Sequence, residues 1–226
     1  MNQNNFASVV ENLYALSDKK HLDGMARFGV NTNYAIGVPV PKLRQLSRVI
    51  GKDNKLAEKL WESNIHEARI LSSLVADAKT INESQIDKWV IQIDSWDICD
   101  SLCGNLIVYT KYAKRKALTW AYDDHEYVKR AGFALMAYLA VHNKDMADDE
   151  FSIFFEHIKI GSIDERNFVK KAVNWALRQI GKRNNVLLYR AIAIAEEILN
   201  KSEGSKSARW IAKDALRELN KRKEII

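Results

Sequence analysis

The chain has 226 residues, 47% of them hydrophobic, with a net charge of +6. That is enough apolar mass for a sizeable core and too much for a disordered chain. Only 9 Gly and 2 Pro occur, and a sheet protein needs more turns than that, so helices joined by short loops are expected. Two cysteines exclude a disulfide framework, and no window approaches the roughly 18 apolar residues of a membrane span. The start, MNQNNFASVV, lacks the basic flank and apolar run of a signal peptide, so a reducing, cytoplasmic setting is expected.

Taken in chain order, the elements are helical. PKLRQLSRVIGK (41–52) has Pro in its first turn and Gly51 as a stop signal. HEARILSSLVAD (66–77) is an apolar helix, and IDSWDICDSLCGN (93–105) mixes core residues with a tryptophan and three aspartates. EYVKRAGFALMAYLAVH (126–142), NFVKKAVNWALRQIGK (167–182) and SARWIAKDALREL (207–219) follow, with a loop at NKSEGSKS (200–207). No alternating Val/Ile/Thr-rich run of strand type occurs. Several of these helices carry a basic residue near the start of an apolar body: Arg69, Arg130, Lys171 and Arg209. The last three are 41 and 38 residues apart, close to the roughly 40-residue period of HEAT-type helix pairs. The expected fold is all-α, an α-α superhelix of HEAT-like repeats forming a single domain over residues 1–226, with a concave binding face.

Charge is uneven. From Lys159 onward there are 16 Lys+Arg against 8 Asp+Glu, and before it 19 against 21. A basic C-terminal third points to a polyanion, nucleic acid before membrane. A cation in the first turn of a helix opposes the macrodipole at a cost of a few tenths of a kcal/mol, on the order of 0.3. Two readings account for the four in register. Each pairs with a nearby acid, Glu67 for Arg69 and Glu126 for Arg130, or each faces a phosphate at the helix start.

Two helix faces stand out. On a wheel of 167–182, Val169, Val173, Ala176, Leu177 and Ile180 form the core stripe, and Lys171, Trp175, Arg178 and Lys182 gather opposite. An indole among cations is either covered by the neighbouring repeat or presented to nucleic acid, and the charged neighbours favour presentation. In 93–105, Asp94 and Asp97 have capping-box spacing, which assigns Asp97 to the helix N-terminus. Ile98, Cys99, Leu102, Cys103 and Leu106 make the apolar face, on which the cysteines read as small core residues. Trp96 and Asp100, spaced i and i+4, share an edge continued by Gly104. Trp96 there is either core packing at a helix boundary or part of a site. Asp100 is either a salt bridge to a neighbouring repeat or a carboxylate that, beside an indole, stabilises a cation or positions water.

There is no P-loop, no GxGxxG, and no metal-ligand spacing among the five histidines. Neither a metal nor an organic cofactor is expected. GVPVPKLR (37–44), SWDICDS (95–101), VKRAGFAL (128–135) and FVKKAVNWALRQIGK (168–182) resemble segments of the DNA alkylation repair family, the AlkD-like DNA glycosylases built from HEAT-like repeats. The resemblance implies that Trp96 and Asp100 are the active-site tryptophan and aspartate. It makes Arg130 and Arg44 DNA contacts and Trp175 a second cleft tryptophan, with Lys171, Arg178 and Lys182 on phosphates. It also implies excision of cationic N3- or N7-alkylpurines from double-stranded DNA, without a metal or organic cofactor, by a monomer that touches no membrane. The N-terminal aromatic of the family falls on Phe28 or Tyr34. The alternative reading is a HEAT-repeat protein that binds unusual DNA without cutting it; a protein-binding adaptor is disfavoured by the basic aromatic stripe.

Overall fold

Asn5, Asp18, Asp53, Asn82 and Asn184 each accept a first-turn backbone N–H and so start helices. Pro39 and Pro41 open another helix that Gly51, at φ 79°, closes. The computed structural model describes residues 5–223, and these are all-α. The chain divides at Thr110 into two compact units.

The first unit holds α1 (Phe6–Ala15), α2 (Lys19–Arg27), α3 (Val40–Ile50), α4 (Asn54–Glu62), α5 (His66–Val75), α6 (Glu83–Ile91) and α7 (Trp96–Asn105), then a 3-10 turn at Ile107–Tyr109. Helix α5 lies between α3 and α7, with α4 packed behind it. Bonds at both ends make α5 and α7 parallel: His66 Nε2 meets Asp97 Oδ2 at 2.8 Å, and Asn105 Nδ2 donates to Ser73 Oγ at 3.1 Å. Trp61 and Trp89, both fully buried, stack at 4.8 Å between α4 and α6.

The second unit holds α8 (Ala113–Trp120), α9 (Glu126–His142), a 3-10 turn at Asp148–Phe151, α10 (Ser152–Gly161), α11 (Asn167–Gly181), α12 (Asn185–Asn200) and α13 (Lys206–Lys223). Helices α9, α11 and α13 stand side by side in one row, backed by α8, α10 and α12. This is the pairwise stacking of a helical repeat. Gly132 lets α9 cross the end of α8, since a Cβ there would sit 2.5 Å from the Ala121 backbone nitrogen.

Long polar side chains tie neighbouring helices together through backbone groups, several of them at helix ends that have no partner within their own helix. Lys52 Nζ donates to the carbonyls of Leu74 and Ala76 at the end of α5. Arg183 donates to those of Ala140, in the last turn of α9, and of Lys144 and Met146 beyond it. Asn174 Nδ2 donates to the Ile211 carbonyl. Glu67, only 1% exposed, accepts the backbone N–H groups of Ile36, Gly37 and Val38.

This pattern decides the register of cations. Arg69 does not pair with Glu67, which serves the 36–38 backbone. Instead it donates to Asn64 Oδ1 and to the carbonyls of Gln92 and Trp61, with its guanidinium 5.4 Å from the Trp61 ring centre. Arg130, 6% exposed, donates to the Phe168 carbonyl at 2.7 Å, while Glu126 accepts the Phe168 N–H. Only Lys171 and Arg209 point outward. A shared place in the sequence register therefore does not give the four cations a shared phosphate-facing role. Cys99 and Cys103 form no disulfide and are buried, as small core residues should be. No helix among the described residues is long and apolar enough to cross a membrane.

Candidate nucleic-acid interface

Helix α7 starts at Ser95, which makes no side-chain cap bond to the helix. The expected capping box is absent. Asp94 accepts from Asn31 Nδ2 at 3.1 Å and lies 3.7 Å from Arg69. Asp97 accepts from the Ser95 hydroxyl at 2.6 Å and meets His66. Burial opposes ionisation of Asp97, but His66 and the Ser95 hydroxyl outweigh it and hold its carboxyl below the ordinary value. Asp94 and Asp97 are thus fixed within the protein. Ile98, Cys99, Leu102 and Cys103 are buried as the wheel places them. Trp96, in the first turn, and Asp100, one turn later, lie half-buried on the edge that remains.

The indole N–H of Trp96 donates to the Phe28 carbonyl at 3.1 Å. This places Phe28, 76% exposed, next to the Trp96–Asp100 edge. Tyr34 is also exposed, and its carbonyl accepts the His66 backbone N–H. Of the two aromatics, Phe28 is therefore bonded directly to α7. Arg44, exposed on α3, reaches Asn105 Oδ1 at 3.4 Å. The first unit thus carries an aromatic, a carboxylate and an exposed cation on α3, α7 and the loop that follows α2.

In the second unit, α11 presents Lys171 to solvent. Trp175 is half-buried, edge-on to Tyr138 of α9 at 4.9 Å. Arg178 and Lys182 face α13. Arg178 bonds Glu218 and lies 3.8 Å from Asp214, and Lys182 meets Glu218 at 2.7 Å. Burial opposes ionisation of Glu218, yet Lys182 and Arg178 pull its carboxyl below the usual range. The stripe opposite the α11 core is thus a mixture: an outward lysine, an indole braced by a neighbouring ring, and two cations joined to the next helix.

Sequence reasoning passed over Tyr138, which braces Trp175, and His66, which anchors Asp97. Neither relation leaves a local signal, because each joins residues of two different helices. It also passed over Trp210, although that indole sits among cations in SARWIAKDALREL as Trp175 does. No group of His, Cys, Asp and Glu among the described residues could hold a metal ion.

Comparison with known proteins bears on this arrangement. None of the curated proteins matches the chain significantly. A solved structure from a new family of proteins, described as related to the HEAT-like repeat DNA glycosylases and having affinity for branched DNA structures, superposes with a TM-score of 0.78. It is 22% identical over 85% of this chain and 83% of its own. The fold is that of the HEAT-like repeats. A designed armadillo repeat protein aligns at 17% identity over 78% of this chain and 91% of its own, at a TM-score of 0.34, too low to speak for a common fold. The family model described as DNA alkylation repair enzyme matches residues 9–219. The chain belongs to the DNA alkylation repair enzyme family.

Proposed function

We propose that the protein is a DNA glycosylase that removes cationic N3- or N7-alkylpurines from double-stranded DNA. The observation that carries the reading is the α7 edge. There Asp100 stands with Trp96, one turn apart, on the half-exposed side of the helix. An alkylated purine is already positively charged, so it leaves as a neutral base and needs no strong general acid. The N–C1′ bond breaks with its electron pair going to the base, and positive charge grows on the sugar. The Asp100 carboxylate stabilises that charge, as carboxylates do in glycoside hydrolysis. A water then bonds to C1′ and gives up a proton to Asp100, leaving an abasic site. Trp96 packs against the deoxyribose. The second unit supplies grip: Lys171 and Trp175 meet the backbone, and Arg130, Arg178 and Lys182 fix the helices that present them.

The test is release of N7-methylguanine from a duplex oligonucleotide. Wild-type protein should release the base, and Asp100→Asn should slow release by about 100-fold or more while binding the duplex as before. Release at an unchanged rate by Asp100→Asn would remove the residue from this role. One observation favours a second reading: the similar fold described above belongs to a protein with affinity for branched DNA structures. No release by wild type, with tighter binding of a four-way junction than of a duplex, would make this chain a binder of branched DNA.

A further inference from the structure

Helix α13 carries a surface that the proposed reaction does not use. Lys206, Arg209, Trp210, Lys213, Asp214 and Arg217 line one shallow hollow. Their spacing puts them on one side of the helix, while Ser207, Ala208, Ile211, Ala212, Ala215 and Leu219 are buried on the other. Trp210 is 41% exposed, and Lys170 of α11 lies 5.7 Å from its ring centre. Asp214 is the one acid in the hollow, and it is engaged by Arg178 and Arg217. Among the described residues, Lys206, Arg209 and Lys213 have no acid within ion-pair distance.

An exposed indole among cations favours a partner that brings both a flat face and negative charge. The bases of a duplex keep their faces stacked inside, so a duplex would engage the cations and leave the indole uncovered. An unpaired strand offers both a base face and phosphates. We propose that the α13 hollow is a binding site for an unpaired stretch of DNA, with a base stacked on Trp210 and phosphates on Arg209, Lys213 and Lys206. DNA rather than RNA follows from the family to which the chain belongs.

The experiment is fluorescence-anisotropy titration of the full chain with an undamaged 20-nucleotide oligo-dT and with an undamaged duplex of the same length. Trp210→Ala should weaken oligo-dT binding about tenfold and change duplex binding less than twofold, so that the ratio of the two affinities moves. Trp210→Phe should restore most of the loss, which separates stacking from misfolding, and circular dichroism melts should match wild type. Arg209→Gln with Lys213→Gln should lower the oligo-dT salt slope by about 0.7 for each phosphate no longer neutralised. Absence of oligo-dT binding by wild type would overturn the proposal. So would a Trp210→Ala variant that binds oligo-dT unchanged, or one that loses duplex affinity by the same factor. Displacement of oligo-dT by poly-glutamate at equal charge concentration would assign the hollow to acidic protein instead and overturn it as well. The probes carry no alkylated base, so an inactive glycosylase leaves this result readable, and a failed oligo-dT titration leaves base excision untouched.

Discussion

Helices α9 and α13 begin alike and end up doing opposite things with their early cation. Arg130, the fifth residue of α9, is buried and donates to the Phe168 carbonyl at the start of α11. Arg209, the fourth residue of α13, is exposed in the Trp210 hollow. In α9 the neighbouring repeat supplies a backbone carbonyl and covers the guanidinium. In α13 no such acceptor faces Arg209 among the described residues, and the charge stays in solvent. The residue type is the same, so the use of each cation is set by what the next element offers it.

Breaking the α9 side should have the largest effect. Arg130→Met keeps the side-chain stem but removes the buried, charge-assisted bond to the Phe168 carbonyl that joins α9 to α11. We expect a loss of about 3 kcal/mol in urea unfolding. A loss below about 0.5 kcal/mol would mean the buried guanidinium is not what holds α9 to α11. The α11–α13 seam comes next. Glu218→Lys replaces the partner of Arg178 and Lys182 with a like charge. Because these groups are about a third exposed, solvent screens the effect, and about 2 kcal/mol is expected.

Asp164 tests the same principle by titration. It sits between Arg166 and Lys129, 3.1 Å from the lysine. Burial opposes its ionisation, but Arg166, through its side chain and its backbone N–H, and Lys129 hold its pKa down to about 2. The folded pKa lies below the unfolded value of about 3.9, so the stabilisation is fully present above about pH 4 and fades as pH falls toward 2. Asp164→Asn should therefore cost about 1 to 2 kcal/mol at pH 7. The gap to wild type should close on acidification between about pH 4 and pH 2. A gap that stays constant down to pH 2 would assign the loss to packing rather than charge.

These differences also explain what the sequence could and could not disclose. The helices legible by periodicity were α3, α5, α9, α11 and α13, all of them in the stacked rows, where an apolar body is pressed between neighbours. Helices such as α6 (ESQIDKWVI) and α8 (AKRKALTW) span only 9 and 8 residues, too short for the 3.6-residue period to repeat convincingly. The apolar face of α7 and the exposure of its Trp96–Asp100 edge followed from spacing alone, and so did the burial of Cys99 and Cys103. The partners of the charges did not. Asp97 spends its carboxylate on His66, 31 residues away, and Arg178 on Glu218, 40 residues away. Helix-wheel reasoning sees one helix at a time, so a cation facing the next repeat and a cation facing solvent look identical to it. The same limitation hid Trp210: its stripe resembles that of Trp175, and only the placement of α11 and α13 shows that one indole is braced by a neighbouring ring while the other stays 41% exposed.

The smallest expected effect is therefore the most discriminating. Arg209→Gln removes a cation that has no acid within ion-pair distance among the described residues, so its unfolding free energy should stay within about 0.5 kcal/mol of wild type. It also removes a cation from the first turn of a helix, where the macrodipole disfavours it, so any change should lean toward a gain of a few tenths, about 0.3 kcal/mol. A side chain that costs its own helix a little, with no ion pair to compensate, is what the binding site proposed on α13 requires. If Arg209→Gln instead destabilises the protein as Arg130→Met does, the two cations are the same device, and the contrast between α9 and α13 disappears.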